Sequence, residues 1–282
     1  MKRNKTRIDE QRELRVVKSN DMIRKGRFNL SLVEQRIVLY LISKIKPNDQ
    51  EIKSVFFSIR DFCDVCGIKY NENHSQLKEV IKTLADKSMW VRLADGRKTI
   101  VRWIEKPYLT EGCAGILEIK LDDDMKPYLL NLANNFTEYQ LISVLALKSK
   151  NSVRLYELCK SYAFMGQFSM TLAEIRDYLQ IGDKYPEVKY FNKYVLDKGI
   201  DEINRFTDIE VSYSVQRSGR FIKGYDFTVI PQETNDFIMA RASLSGKIPS
   251  RHKQEQDFRE FIKSYTIEGQ ASMFDDGEVE NG

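Results

Sequence analysis

The chain has 282 residues, of which 42% are hydrophobic and 30% charged: enough apolar material for one or two packed domains, and too much charge for a membrane protein. No apolar run reaches the ~18–20 residues of a membrane span, and none follows the opening Met1-Lys2-Arg3-Asn4-Lys5, so a cytoplasmic protein with no secretory leader and no membrane partner is expected. The net charge is +4; the last 17 residues hold Glu268, Asp275, Asp276, Glu278 and Glu280 and no base, so without these five negative charges residues 1–265 carry +9, a basic body suited to a polyanion.

Residues 1–13 are polar and basic and read as a mobile tail. A helix should open at Ser31, because Ser31-Leu32-Val33-Glu34 has the spacing of a capping box. Val33, Ile37, Leu41 and Ile45 recur every four residues behind it, and Pro47 ends the stripe. Ser58-Ile59-Arg60-Asp61 starts a short second helix with Phe62, Val65 and Cys66 inward, stopped by Gly67. A third helix is expected over about Gln76–Asp86. Strands follow at Trp90–Leu93, Thr99–Ile104 and Ile116–Leu121, the first two joined by the hairpin signal Asp95-Gly96.

The second half repeats this order. Thr137-Glu138-Tyr139-Gln140 reads as another capping box, followed by a helix carrying Val153, Leu155, Tyr156, Leu158 and Tyr162. Thr171-Leu172-Ala173-Glu174 opens a short helix with Ile175, Tyr178 and Leu179 inward. Ser58, Ile59, Phe62 and Ile68 map on Thr171, Leu172, Ile175 and Ile181 at an offset of 113; Leu77, Ile81 and Leu84 map on Leu196, Ile200 and Ile203 at 119. Val211–Val215 and Tyr225–Val229 alternate as a hairpin turned by Arg217-Ser218-Gly219-Arg220. Helix, helix-turn-helix, then β-hairpin is the winged-helix order. The fold expected is α+β: two tandem winged-helix domains at 14–126 and 134–232, with flexible tails at 1–13 and 233–282.

Enzyme chemistry finds little support. Two histidines, His74 and His252, cannot make a paired-histidine metal motif; Gly246-Lys247 lacks the glycine that a phosphate loop requires, and no Gly-x-Ser-x-Gly elbow is present. Cys63-Asp-Val-Cys66 could begin a zinc site, but Cys113, Cys159 and His74 offer no second paired spacing, and both cysteines fall on the apolar face of their helix. They read as small core residues. No metal, cofactor or catalytic residue is expected.

Three separated motifs resemble one family. Val16-Val17-Lys18-Ser19-Asn20, followed by Leu30-Ser31-x-x-Glu34-Gln35-Arg36, looks like the opening of the theta-type plasmid replication initiators, the Rep proteins that bind iterons. Ser152 through Tyr162 is similar to that family's Arg-Leu-Tyr-Glu-Leu segment, and Glu202-Ile203-Asn204-Arg205-Phe206-Thr207 resembles its Glu-Ile-Asn-x-x-Thr element. The resemblance spans about residues 14–232 and implies an initiator that binds repeated, double-stranded origin DNA as a monomer and represses as a dimer. It further implies that the host replication initiator and helicase complete the replisome. One departure is clear: where family members often place consecutive arginines in the second recognition helix, this chain has Phe191-Asn192-Lys193-Tyr194.

The expected DNA contacts follow. The second recognition helix, about Glu187–Arg205, buries Val195, Leu196, Ile200 and Ile203 and offers Lys189, Asn192, Lys193 and Tyr194 to the major groove, where Asn pairs with adenine and Lys with guanine. The wing adds Arg217, Arg220 and Lys223 for phosphates. Lys78 and Lys82 on the third helix and Arg97 and Lys98 at the first hairpin turn give weaker backbone contacts. The hairpin residues Val101, Trp103 and Ile104 are equally suited to a core or to a dimer surface. In the tail, Gln270-Ala271-Ser272-Met273-Phe274 looks like a sliding-clamp binding peptide, in which Gln270, Ser272, Met273 and Phe274 carry the match. A dimeric winged-helix repressor with a palindromic site is the alternative function; a nicking enzyme would need a histidine pair beside its tyrosine.

Overall fold

Ser31, Ser58 and Thr171 each cap a helix, their hydroxyls accepting the amide of the acid three residues on. The computed structural model describes residues 6–46, 48–68, 70–92, 96–110, 115–232 and 237–246. The chain begins with α1 (Arg7–Arg12), β1 (Arg15–Ser19) and α2 (Asn20–Lys25). The first module then runs α3 (Leu32–Ile42), β2 (Val55–Ser58), α4 (Ile59–Cys66), α5 (Tyr70–Ala85), β3 (Ser88–Arg92), β4 (Lys98–Arg102), β5 (Tyr108–Thr110) and β6 (Ile116–Ile119). After α6 (Lys126–Leu129) come β7 (Phe136–Gln140), α7 (Leu141–Leu145), α8 (Lys150–Tyr162), β8 (Gln167–Thr171) and α9 (Leu172–Leu179). A long recognition helix follows as α10 (Val188–Phe191), a π-helical turn Asn192–Asp197 and α11 (Lys198–Phe206). The wing is β9 (Ile209–Ser218) and β10 (Phe221–Pro231), and α12 (Ile238–Leu244) closes the described chain.

The repeat in the sequence is a repeat in space. At the offset of 113, Gly67 and Gln180 both end their helices in the left-handed conformation, with φ of 63° and 52°. Phe62 and Ile175 are both fully buried, each such side chain contributing about 1.5–3 kcal/mol by leaving water. At the offset of 119, Leu77, Ile81 and Leu84 face inward as Leu196, Ile200 and Ile203 do. Cys63 and Cys66 are buried free thiols, and burial pushes Cys66 up to about 12. Among the described residues no cluster of three metal-ligating side chains forms, and no helix is long and apolar enough to cross a membrane.

The two modules differ in their sheets. In the second, β8, β10 and β9 form one antiparallel sheet in that order. In the first, β3 and β4 form a separate hairpin, while β2 pairs with β6 and β6 with β5. The two expected strands are present with shifted bounds: β3 starts at Ser88 and β4 ends at Arg102, short of Ile104, with Trp90 opposite Ile100, while Leu93 and Asp95 lie outside the described residues.

Several local readings are corrected. Thr137 does not cap a helix: Phe136–Gln140 is a strand whose Thr137 and Tyr139 point inward and which pairs antiparallel with β1, Lys18 opposite Thr137. The Thr137 hydroxyl instead donates to Asn20 Oδ1 at 2.5 Å. A capping box needs a free helix start, and β1 has already claimed this backbone. The first helix ends at Ile42, short of Ile45 and Pro47, and α5 begins at Tyr70 rather than near Gln76.

The tails are structured where described. Thr6 and Asp9 form a capping box on α1, and the buried Arg12 donates to Val65 O at 2.8 Å and Asp64 O at 2.9 Å, the carbonyls at the end of α4. In α12, Ala240, Ala242 and Leu244 are buried, and Arg241 meets Asp9 and Glu13 at 3.4 and 2.7 Å. A Cβ on Gly67 would come within 2.6 Å of Leu244 O, so this glycine also lets the closing helix lie against α4. The expected helix near 254–265 lies outside the described residues.

Candidate nucleic-acid interface

The recognition helix is held from three sides. Val195 and Leu196 pack into the core behind it, and Gly199 sits so close to α8 that a Cβ would meet Leu155 Cδ1 at 2.7 Å. Asn204 clips the helix to the wing: its amide donates to Val211 O at 2.9 Å and its carbonyl accepts from Val211 N at 2.7 Å. Glu202 accepts the Lys148 amide at 2.9 Å, fixing the helix to the loop before α8. In front, Arg176 donates to the carbonyls of Gly182, Lys184 and Tyr185 at 2.7–2.9 Å and so shapes the turn leading into α10.

Toward its start the helix presents a cationic and aromatic strip to water, with the acids Glu187 and Asp197 exposed at either end of it. Lys189 is exposed, pairs with Glu187 at 2.9 Å and lies 4.6 Å from the Tyr190 ring centre; the Glu187 hydrogen bond holds its pKa up. Lys193 is exposed, its Nζ 5.5 Å from the Tyr194 ring. Tyr190 and Tyr194 stack at 6.1 Å, with Tyr185 6.0 Å from Tyr194. Asn192 differs from these neighbours: it is half-buried, and its Oδ1 accepts the Tyr225 hydroxyl at 2.6 Å. Burial pushes Tyr225 up to about 12, so its phenol stays a donor near neutral pH. Lys193 and Tyr194 ride on the π-helical turn, a widened segment common at functional sites.

The wing brings Arg217, Arg220 and Lys223 together as exposed side chains on a projecting ribbon. In the first module Lys82, Arg97 and Lys98 are exposed and Lys78 is half-buried. The hairpin residues Val101, Trp103 and Ile104 are buried core, which removes them as a contact surface; that hairpin instead exposes the cross-strand pair Trp90 and Ile100, at 53% and 50%. Sequence reasoning missed Tyr190, four residues from Tyr194 on one helical face, and the exposed Phe221 beside Arg220. Gln270, Ser272, Met273 and Phe274 lie outside the described residues.

The family profile described as "Initiator Replication protein, WH1" matches residues 15–160, and "Initiator Rep protein, WH2" matches 171–229. The chain belongs to the replication initiator family. An uncharacterized 27.6 kDa protein of Escherichia coli is 24% identical to this chain, covering 79% of this chain and 96% of its own. A replication initiation protein of Escherichia coli is 22% identical over 74% of this chain and 67% of its own. A solved crystal structure, of Pi initiator protein in complex with iteron DNA, shares the fold at a TM-score of 0.66 and 22% identity, covering 79% of this chain and 99% of that one.

The motifs that resemble the initiator family are architectural here. Lys18 donates to Glu157 Oε1 at 2.6 Å and Tyr139 donates to the same oxygen at 2.5 Å, all three buried. Burial pulls the Lys18 pKa down against the attraction of Glu157. Arg154 is buried between the Phe28 and Tyr178 rings, 3.9 and 4.1 Å from their centres, and donates to Gly26 O and Tyr178 O. Gln35 reaches Lys150 O at 3.3 Å and Arg36 reaches Leu145 O and Leu147 O at 2.7 and 3.0 Å. These residues seam α3 and β1 of the first half to α7 and α8 of the second.

Proposed function

We propose that this initiator binds direct repeats in double-stranded plasmid origin DNA and promotes opening there. The carrying observation is the solvent-facing strip of Lys189, Tyr190, Lys193 and Tyr194 on a helix whose opposite face is core. The recognition helix enters the major groove, where Lys193 reads base edges and Tyr194 contributes apolar contact. Asn192, with its carbonyl oxygen occupied, offers its amide hydrogens. Arg217, Arg220 and Lys223 hold the neighbouring backbone; Lys78, Lys82, Arg97 and Lys98 give the first module a similar, weaker hold. The initiator acts in the cytoplasm without enzymatic activity, leaving unwinding and synthesis to the host initiator and helicase. The Gln270–Phe274 segment recruits the sliding clamp.

A second state is a dimer. The exposed Trp90 and Ile100 pair favours self-association through the first module, and a dimer bound to a palindrome would act as a repressor. Titrating the full chain against duplexes carrying direct repeats of ~20 bp, two helical turns for two modules, against palindromes and against scrambled DNA separates these roles. Preference for the direct repeat supports initiation. Binding of palindromes alone would establish the repressor, and equal affinity for all three would refute sequence-specific recognition.

A further inference from the structure

We propose that Phe221 is a wedge: it enters the minor groove of bound duplex DNA and unstacks a base step beside the site read by the recognition helix. The inference rests on the DNA-binding reading above and goes beyond it, from holding DNA to deforming it.

β8 pairs with β10 only over Gly224–Thr228, so beyond Gly224 the hairpin continues as a two-stranded ribbon, Phe221 opposite Ser218 and Ile222 opposite Arg217. Gly224 marks the base of this ribbon; a Cβ there would meet Met170 O at 2.5 Å. The register shifts between Ile222 and Gly224, and such a bulge bends and twists a strand, re-aiming its tip. Gly219 turns the ribbon at φ 61° with open space around it.

Phe221 lies at this tip with 80% of its surface exposed, although phenylalanine gains by leaving water. Ile222, one residue inward, is half-buried, so the exposure belongs to the tip. Its surroundings name the partner. Arg217, Arg220 and Lys223 flank it, and residues 216–223 contain no acid. An apolar ring in a cationic collar does not suit an apolar protein surface, where three ammonium or guanidinium groups would be stripped of water without partners. It suits a polyanion with an apolar interior, and stacked bases behind phosphates are that. Phe164 and Met165, at the turn before β8, are exposed as well but sit beside no basic residue in the sequence, so exposure alone is not the signal.

Position points to the minor groove. With the recognition helix in the major groove, the wing reaches across the adjacent backbone, and Arg and Lys favour the strong negative potential of a narrow minor groove. Apolar side chains inserted there part base steps and bend DNA toward the major groove. The cost depends on the step, being lowest at flexible pyrimidine–purine steps. Phe221 therefore gives the protein a sequence preference at a step whose base edges it does not read, and its unstacking lowers the barrier to opening nearby.

The test uses full-length protein and a duplex that it selects from a random pool. Permanganate, which attacks unstacked thymines, is applied with and without protein at saturation, and bending is read by energy transfer between dyes at the duplex ends. Wild type should give a permanganate-reactive thymine at one edge of the footprint and a bend. Phe221→Ala should lose both, with the salt dependence of binding unchanged because no cation is removed; Phe221→Leu, still a wedge, should keep most of both. Enhanced reactivity and bending that persist in Phe221→Ala would overturn the proposal, as would a wild-type footprint with no reactive thymine. Failure of the selection itself, with no enriched duplex, would refute the DNA-binding reading, a separate result.

Discussion

Replacing Glu157 by glutamine should unfold more of this protein than any surface change. Lys18 and Glu157 are each 2% exposed and 2.6 Å apart, and Tyr139 donates to the same carboxylate oxygen. Glu157→Gln leaves the Lys18 ammonium facing a neutral amide with no water to replace the lost charge. Breaking one member of a buried pair typically costs about 3–5 kcal/mol, a large part of the roughly 5–15 kcal/mol that holds a folded protein together. Lys18→Met should cost a similar amount by stranding the carboxylate, since one phenol cannot replace an ammonium. The double variant Lys18→Met/Glu157→Gln has no buried charge and keeps an acceptor for Tyr139. It should lie within about 2 kcal/mol of wild type, so the singles sum to at least about 4 kcal/mol more than the double. Urea unfolding followed by tryptophan fluorescence measures the cycle, since Trp103 is buried in the first module. Single variants that each cost under about 1 kcal/mol would show that the pair is hydrated and the seam reasoning wrong.

Other outcomes can be set beside it. Lys193→Ala should weaken DNA binding by about 1–3 kcal/mol on the preferred repeat alone if the lysine reads a base; a uniform loss with a salt slope lower by about one would assign it to a phosphate. Asn204→Ala frees the wing from the recognition helix, leaves the Val211 amide and carbonyl without their partner, and should cost about 1–3 kcal/mol in stability; a stability equal to wild type would contradict the clip. Trp90→Ser should shift sedimentation toward monomer without changing the melting temperature, since the ring is half exposed; an unchanged dimer fraction would remove this face from consideration. Burial, with Arg7 nearby, lowers Lys44 from its usual 10.5 to about 8. The unfolded chain then binds more protons than the native one between those values, so stability should rise from pH 8 to 10.5, and Lys44→Met should flatten that rise in denaturant titrations.

The helix-turn-helix units were legible because their signals are local. Ser31, Ser58 and Thr171 need only an acid three residues away, and the stripes through Phe62 and Ile175 need only a helical period. Thr137 misled for the same reason: its spacing imitates a cap, while the partner that makes it a strand lies at Lys18. Arg12 and Arg241 fall in stretches that read as flexible tails, because their carbonyl and carboxylate partners are distant in sequence. Trp103 and Trp90 share one hairpin, but only the packing of Phe28 against Trp103, 4.7 Å between ring centres, decides which is core. Of the DNA-facing candidates, the wing arginines and every lysine but the half-buried Lys78 are exposed, whereas Asn192 is drawn inward by Tyr225, a residue on a strand that no helical periodicity could connect to it. The π-helical turn left no trace in the pattern, since its inward residues still fall where an α-helix would put them.

The β1–β7 ladder carries a consequence for biosynthesis. The side chains of Arg15 and Glu138, 123 residues apart, meet across it, and at roughly 5–20 residues per second a ribosome needs about 6–25 seconds to make the second strand after the first. During that interval Val16 and Val17 have no strand partner, and the helices between them can form around their own caps before the ladder closes. A nascent chain halted before residue 136 would therefore hold a first module with its own helix-turn-helix and an open edge, a species prone to pair with another chain in the same condition. Slow translation through 20–136 prolongs that exposure, so codon choice in this stretch becomes a determinant of yield that leaves the finished protein unaltered.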